Sequence, residues 1–206
     1  MTMLGELLAQ PELKLAEVTA HLDALSGAER IGQVAALGKI HQMELWDLAE
    51  HSQPLELAYL VPATAKPFEF FPFAGKNSLP LFTRFKKVFY RDTKGNVCGY
   101  NANPKLVQLT IGHGYFVVGK NPKVAKFELQ VDYTHVPDEH PPGWPEIKSN
   151  DVFPTNFVFG GTKDNLRWVS KDVAIGRAFK MGESPMPNWF VLCRETDIAP
   201  DSYLLK

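Results

Sequence analysis

The stretch GYFVVGKNPKVAKFELQVDYT, residues 114–134, reads as a β-hairpin, and that reading decides the fold. Apolar and aromatic runs over 114–119 and 126–134 flank Lys120-Asn-Pro-Lys123, whose composition is that of a turn. If the turn centres between Pro122 and Lys123, Phe116 faces Leu129 and Val118 faces Phe127 on a core side. The opposite side then carries His113, Tyr115, Lys126, Glu128, Gln130 and Asp132, a polar surface turned to water.

The same pattern continues on both sides of this hairpin. Beyond Pro54, clusters rich in Phe, Tyr and Val alternate with Gly, Pro and Asn, giving about ten strand candidates. They lie near 55–61, 68–73, 81–91, 96–101, 105–110, 114–119, 126–134, 152–160, 173–180 and 187–195, with 165–169 ambiguous. Short consecutive strands without intervening helices pair antiparallel, and a sheet of this size must curl, close or split into two layers. The segment 134–155 interrupts the series with five prolines and too few backbone donors for a central strand. It is a long loop, either a cover over a barrel mouth or a wrapping crossover pinned by Trp144.

Upstream the period changes. Leu13, Leu15, Val18, Leu22 and Leu25 recur at helical spacing, and Ser26-Gly-Ala-Glu29 has the spacing of a capping box. Ile31, Val34, Leu37, Ile40, Met43, Leu45 and Leu48 carry the rhythm on until His51, Ser52 and Pro54 end it. The fold class is therefore α+β. A helical pair over 1–52 precedes a curved antiparallel sheet or closed barrel over 55–195, and residues 1–206 form one domain because no composition shift divides them.

Composition excludes several functions. Lys+Arg 22 against Asp+Glu 23 leaves a net charge of −1, so no global field draws in nucleic acid. The N-terminus has Glu6, Glu12 and Lys14 where a signal peptide would be uncharged, and no run approaches a membrane span. The expectation is a cytoplasmic chain with no membrane or nucleic-acid partner, a homo-oligomer being left open. The two cysteines, Cys98 and Cys193, sit in strand-like apolar contexts and read as buried reduced thiols.

The chemistry-bearing residues are few. In the hairpin register above, His113 and Asp132 fall opposite each other, and a carboxylate beside an imidazole raises its basicity for acid–base work. A solvated cross-strand ion pair is the structural alternative. His135, Asp138, Glu139 and His140 match no metal-binding spacing and read as exposed loop, so no metal is assigned. Gly-x-Ser-x-Gly, a P-loop and GxGxxG are all missing, which sets aside nucleophilic hydrolysis and nucleotide chemistry. Arg84-Phe-Lys-Lys-Val-Phe-Tyr-Arg91 interleaves bases with aromatics, as a nucleic-acid platform or a barrel strand with one wet face would. Arg177 has two readings. Either it points inward with Ile175 and Phe179 and needs an anionic partner, or Gly176 and Ala178 face inward and Arg177 faces water.

Two segments carry a resemblance. Phe73-Ala-Gly-Lys76, and Ala174-Ile-Gly-Arg-Ala-Phe179 leading to Trp189-Phe-Val-Leu-Cys-Arg194, resemble parts of lipocalin-like proteins over about a fifth of the chain. The nearest group is one whose hallmark is Gly-x-Trp-x-Gly, a motif that Gly143-Trp144-Pro145 does not complete. The resemblance implies a calycin-type barrel around a small apolar or amphipathic molecule. The leading expectation is thus a binding module, with Arg177, Tyr100, Arg84, Tyr133 and Trp168 as the polar groups that orient the ligand and no cofactor identified. One alternative is an isomerase, cyclase or lyase using His113 and Asp132 or a Tyr. Another is an interaction protein docking through its helices, since 31–48 present a wide apolar stripe.

Overall fold

The helical rhythm of the first fifty residues breaks sooner than its period suggests. The structure, a computed structural model, describes residues 3–80, 83–102, 113–121, 128–181 and 183–196. In place of a helical pair it has four short helices: α1 (Leu4–Leu8), α2 (Leu15–Ala24), α3 (Gly27–Ala35) and α4 (Lys39–Leu48), the last extended by a 3-10 turn over Ala49–His51. The capping box forms as read: Ser26 Oγ accepts from the Glu29 amide, and Glu29 Oε2 accepts from the Ser26 amide. The stripe running from Ile31 to Leu48 is cut at Gly38, whose extended backbone starts α4. Periodicity locates a buried face but not a break in the helix beneath it. Val18, Leu22, Val34, Leu37, Leu45 and Trp46 bury that face against the outside of the two last strands, on Val173, Ile175, Trp189, Val191 and Cys193.

Those strands belong to a closed eight-stranded antiparallel barrel: β1 (Phe71–Asn77), β2 (Arg84–Arg91), β3 (Val97–Asn101), β4 (Phe116–Lys120), β5 (Leu129–Asp132), β6 (Thr162–Trp168), β7 (Val173–Lys180) and β8 (Ser184–Arg194). Each strand pairs with its sequence neighbours, and β1 pairs with β8, so that among the described residues no strand is left as an edge. Two expected strands are not strands. Residues 55–61 hold a four-residue helix, α5 (Leu57–Leu60), between Pro54 and Pro62, and 152–160 hold a 3-10 turn at Thr155–Phe157 ahead of Gly160 and Gly161. The ambiguous 165–169 falls in β6, and the candidate at 105–110 lies outside the described residues.

The hairpin forms in a different register. Val118 pairs with Val131 and Val117 with Asp132, in place of Phe116 with Leu129. The displacement is an even number of residues, so every side chain keeps its face, and alternation cannot tell the two registers apart. The face read as wet is covered. Tyr115, Glu128 and Gln130 are buried, because helices and loop cloak most of the outer wall.

The loop over 134–155 wraps this wall and does not close a barrel end. Trp144 stacks on Phe70 (4.9 Å between ring centroids) and packs on Tyr90 (5.4 Å) and Tyr100 (4.3 Å). Tyr90 donates to the Glu139 carbonyl at 2.6 Å, and Tyr115 to that of Pro145 at 2.6 Å. Asn150 Nδ2 donates to the carbonyls of Tyr115 and Tyr133 at 2.7 and 2.8 Å.

Inside, one half of the barrel is filled. Phe73, Phe89, Phe116, Val131, Leu166 and Leu192 form a single cluster with Leu55, Leu60 and Val61, so α5 and its flanks plug that end. Arg91 fastens the plug by donating to the carbonyls of Val61 (2.8 Å) and Pro62 (3.2 Å), and Arg194 donates to that of Tyr59. Glycines make room for the large rings. A Cβ on Gly99 would stand 2.4 Å from the Val88 carbonyl oxygen and 2.6 Å from the Phe116 ring. Because backbone cannot swing aside as a side-chain tip can, Gly99→Ala is expected to lower the unfolding free energy by about 1–3 kcal/mol, read from urea midpoints. A midpoint equal to that of the parent would contradict this packing.

Candidate functional site

The other half of the barrel is hollow. A cavity of about 380 Å³ opens at the end where β1 leaves and β2 enters, within the range of small-molecule sites. Its walls are largely apolar: Phe85, Phe159, Ala178, Met186 and Phe190, with Leu79 and Val158 at the rim. Four polar side chains on β2, β3, β6 and the residue after β5 also line it, namely Lys87, Asn101, Asp164 and Tyr133.

Strand alternation brings these four together. Phe85, Lys87 and Phe89 share the inward face of β2, and β6 turns Asp164 and Leu166 inward on the same period. All four are buried, at 2% exposure for Lys87, 3% for Asn101 and Tyr133 and 6% for Asp164. Lys87 Nζ bonds the Tyr133 hydroxyl and stands 3.3 Å from Asn101 Oδ1 and 3.4 Å from Asp164 Oδ2. Asn101 Nδ2 donates to the Gly114 carbonyl at 3.0 Å and to Tyr133 Oη at 3.3 Å. Rings surround the amine: its Nζ is 4.9 Å from the centroid of Phe116, 5.4 Å from Phe190 and 5.6 Å from Phe85.

Burial governs the protonation of this cluster. It lowers the pKa of Lys87 against the opposing pull of Asp164, and it raises that of Asp164 against the pull of Lys87. Tyr133 is raised well above its ordinary value by burial, so it stays a neutral hydroxyl that both donates and accepts. Both shifts favour a neutral amine beside a neutral acid at the expense of the ion pair.

The sequence-derived candidates are scattered by comparison. Arg84 and Tyr133 line the cavity. Tyr100 faces outward under Trp144, and Trp168 packs half-buried against the filled cluster, away from the cavity. Arg177 also faces outward, with Gly176 and Ala178 turned inward as in the second of its two readings. Its guanidinium covers the Trp189 ring at 4.7 Å, and its Nε donates to the Met186 carbonyl at 3.1 Å. It borders an outer groove of about 490 Å³ with Trp46 and Arg167. There Arg167 is already held by Glu128 at 2.8 Å and the Trp46 carbonyl at 2.9 Å, which leaves the groove poorly suited to an added anion.

His113 and Asp132 are not a pair, because the observed register sets Val117 opposite Asp132. Asp132 instead binds Lys163 at 2.7 Å and His135 at 3.0 Å, and accepts from Thr134 at 2.6 Å. Burial pushes its pKa upward, but these hydrogen bonds together outweigh it and hold the carboxyl below its usual range. His113 lies beside the Tyr100 ring with its pKa lowered by burial and by Lys148. The loop acids have other partners too: Asp138 pairs with Lys94 at 2.8 Å, and Glu139 accepts from Thr93. Cys98 and Cys193 are free and buried, each thiol pushed up to about 12 by burial.

Lys87 is not among the sequence-derived candidates, although the sequence carries a signal for it. It shares strand parity with Phe85 and Phe89, whereas the adjacent Lys86 does not. The chain matches no protein-family model, no curated protein and no solved structure. Among the described residues no helix is long and apolar enough to cross a membrane.

Proposed function

We propose that this protein is a lipocalin-like carrier, which holds a small molecule with an apolar body and a polar head inside its barrel. One observation supports the reading above the rest: the lumen is filled at one end and hollow where four buried polar side chains converge. Packing that leaves such a hollow forgoes dispersion contacts, and a ligand restores them. The apolar body fits among Phe85, Phe159 and Phe190, and an oxygen-bearing head meets Lys87, Asn101 and Tyr133. Arg84 stands with the lining residues as a further polar contact.

The two alternatives have less support. The acid–base reading relied on His113 and Asp132, which the strand register separates. Docking through the helices relied on the apolar stripe over 31–48, of which Val34, Leu37 and Leu45 are buried against the barrel's own outer wall.

Naphthylmethanol, a bicyclic body with one hydroxyl, probes the carrier reading, and titration calorimetry reports its binding. Saturable binding is expected, with a rise in unfolding free energy of about 2.7 kcal/mol at a hundred times Kd. Ala178→Leu, which places bulk in the cavity, is expected to weaken binding by about tenfold or more, while Arg177→Ala on the outer wall leaves it unchanged. Equal affinity in the Ala178→Leu protein would contradict the proposal.

A further inference from the structure

We propose that the cavity takes an apolar aldehyde and that Lys87 captures it as an imine. The inference rests on the carrier reading and assigns the ligand's reactive group.

Among the described residues Lys87 is the one buried lysine, and its amine lines the hollow half of the barrel. An amine surrounded by aromatic rings and removed from water is a nucleophile in its neutral form, which burial favours here. A role confined to an internal salt bridge explains the geometry poorly. The Lys87–Asp164 contact is a single one at 3.4 Å, longer than a good charge-assisted hydrogen bond, and a buried pair of that quality adds little stability over an apolar pair of similar volume.

The partners of Lys87 are those that imine formation requires. The amine nitrogen adds to the aldehyde carbon, forming a C–N bond while the carbonyl oxygen takes up the proton that the nitrogen loses. The resulting carbinolamine hydroxyl leaves as water after accepting a proton from the Asp164 carboxyl, which burial keeps protonated more readily than a surface acid. The products are a protonated imine, one water and the Asp164 carboxylate, so the new cation stands beside its counter-ion. Amine, aldehyde and acid together carry the same atoms and the same net charge as these products. Tyr133, whose hydroxyl bonds Nζ, supplies an O–H donor for the carbonyl oxygen during the addition, and Asn101 Oδ1 accepts from the amine and orients it.

The chemistry also discriminates among ligand heads. A carboxylate head would put a second acid beside Asp164 with one lysine between them, and a dry site opposes ionising both. A neutral carbonyl brings no such cost.

The test incubates the whole protein with naphthaldehyde, traps with sodium borohydride, which delivers hydride to the imine carbon, and reads intact mass and peptide maps. The expected result is one adduct per chain, located on Lys87 and formed about tenfold or more faster than on any other lysine, since the cavity holds the aldehyde against the amine. Formation should pass through a maximum with pH, because only the neutral amine adds and only the protonated carboxyl expels water. Arg177→Ala, on the outer wall, keeps both the adduct and naphthylmethanol binding, and Lys87→Met removes the adduct. Should that variant not fold, the ranking of lysines in the parent protein decides by itself. Binding of naphthylmethanol with borohydride adducts spread over surface lysines overturns the imine and leaves the carrier reading intact. Failure of both compounds to bind overturns both.

Discussion

Lys87→Ala is expected to lower the unfolding free energy by about 3–5 kcal/mol at neutral pH, the larger part from the partner it abandons. Asp164 is buried in the lumen against Lys87, so the truncation leaves either a carboxylate with no amine to share its proton or a carboxyl that must take up a proton on folding. Urea unfolding of the single variants Lys87→Met and Asp164→Leu, and of the double variant, separates the pair from its surroundings. The double variant is expected within about 1 kcal/mol of the parent, because an apolar pair of similar volume replaces two desolvated groups. Single costs that add up in the double variant would mean that the two side chains do not interact.

The pH dependence of Lys87→Ala has a definite sign. Burial already raises the Asp164 pKa, and removing the lysine's opposing pull raises it further. A raised folded-state pKa means that the native state holds a proton which the unfolded state releases above about 3.9. Stability is then fully present below that value and is lost as pH rises through the higher folded-state pKa. The variant should therefore lie closest to the parent in acid and furthest from it near neutrality.

Trp144→Ala is expected to cost about 3–5 kcal/mol, the usual toll of emptying a buried large aromatic site. The effect is confined in space. Trp144 joins Phe70, Tyr90 and Tyr100, so its loss loosens the loop over 134–155 from the outer wall, and hydrogen exchange should quicken there before it quickens in β6 to β8. Because the loop wraps the wall, naphthylmethanol binding should stay within about twofold of the parent. A collapse of binding would instead place the loop over the cavity.

The elements legible in sequence were those set by local chemistry. The Ser26 cap, the alternation in Arg84–Arg91 and the proline-rich loop each follow from a few adjacent residues. What escaped depends on long-range geometry. The register of β4 on β5 is invisible to alternation, because an even displacement preserves every face. The segment at 55–61 has strand-like residues, yet its place between two prolines at a barrel end makes it a helical plug. Both faces of β7 are apolar because helices cover the outside, and this is why Arg177 could be assigned to either side. Lys86 and Lys87 are the same letter on opposite faces of one strand, and knowing which face encloses a hollow requires the closed barrel.

The most direct measurement is the set of nuclear Overhauser contacts between bound naphthylmethanol and the protein's aromatic protons. Contacts to Phe85, Tyr133 and Phe190 are the result that a ligand inside the barrel requires. Contacts to Trp46 in the outer groove, with none to those three rings, would contradict it.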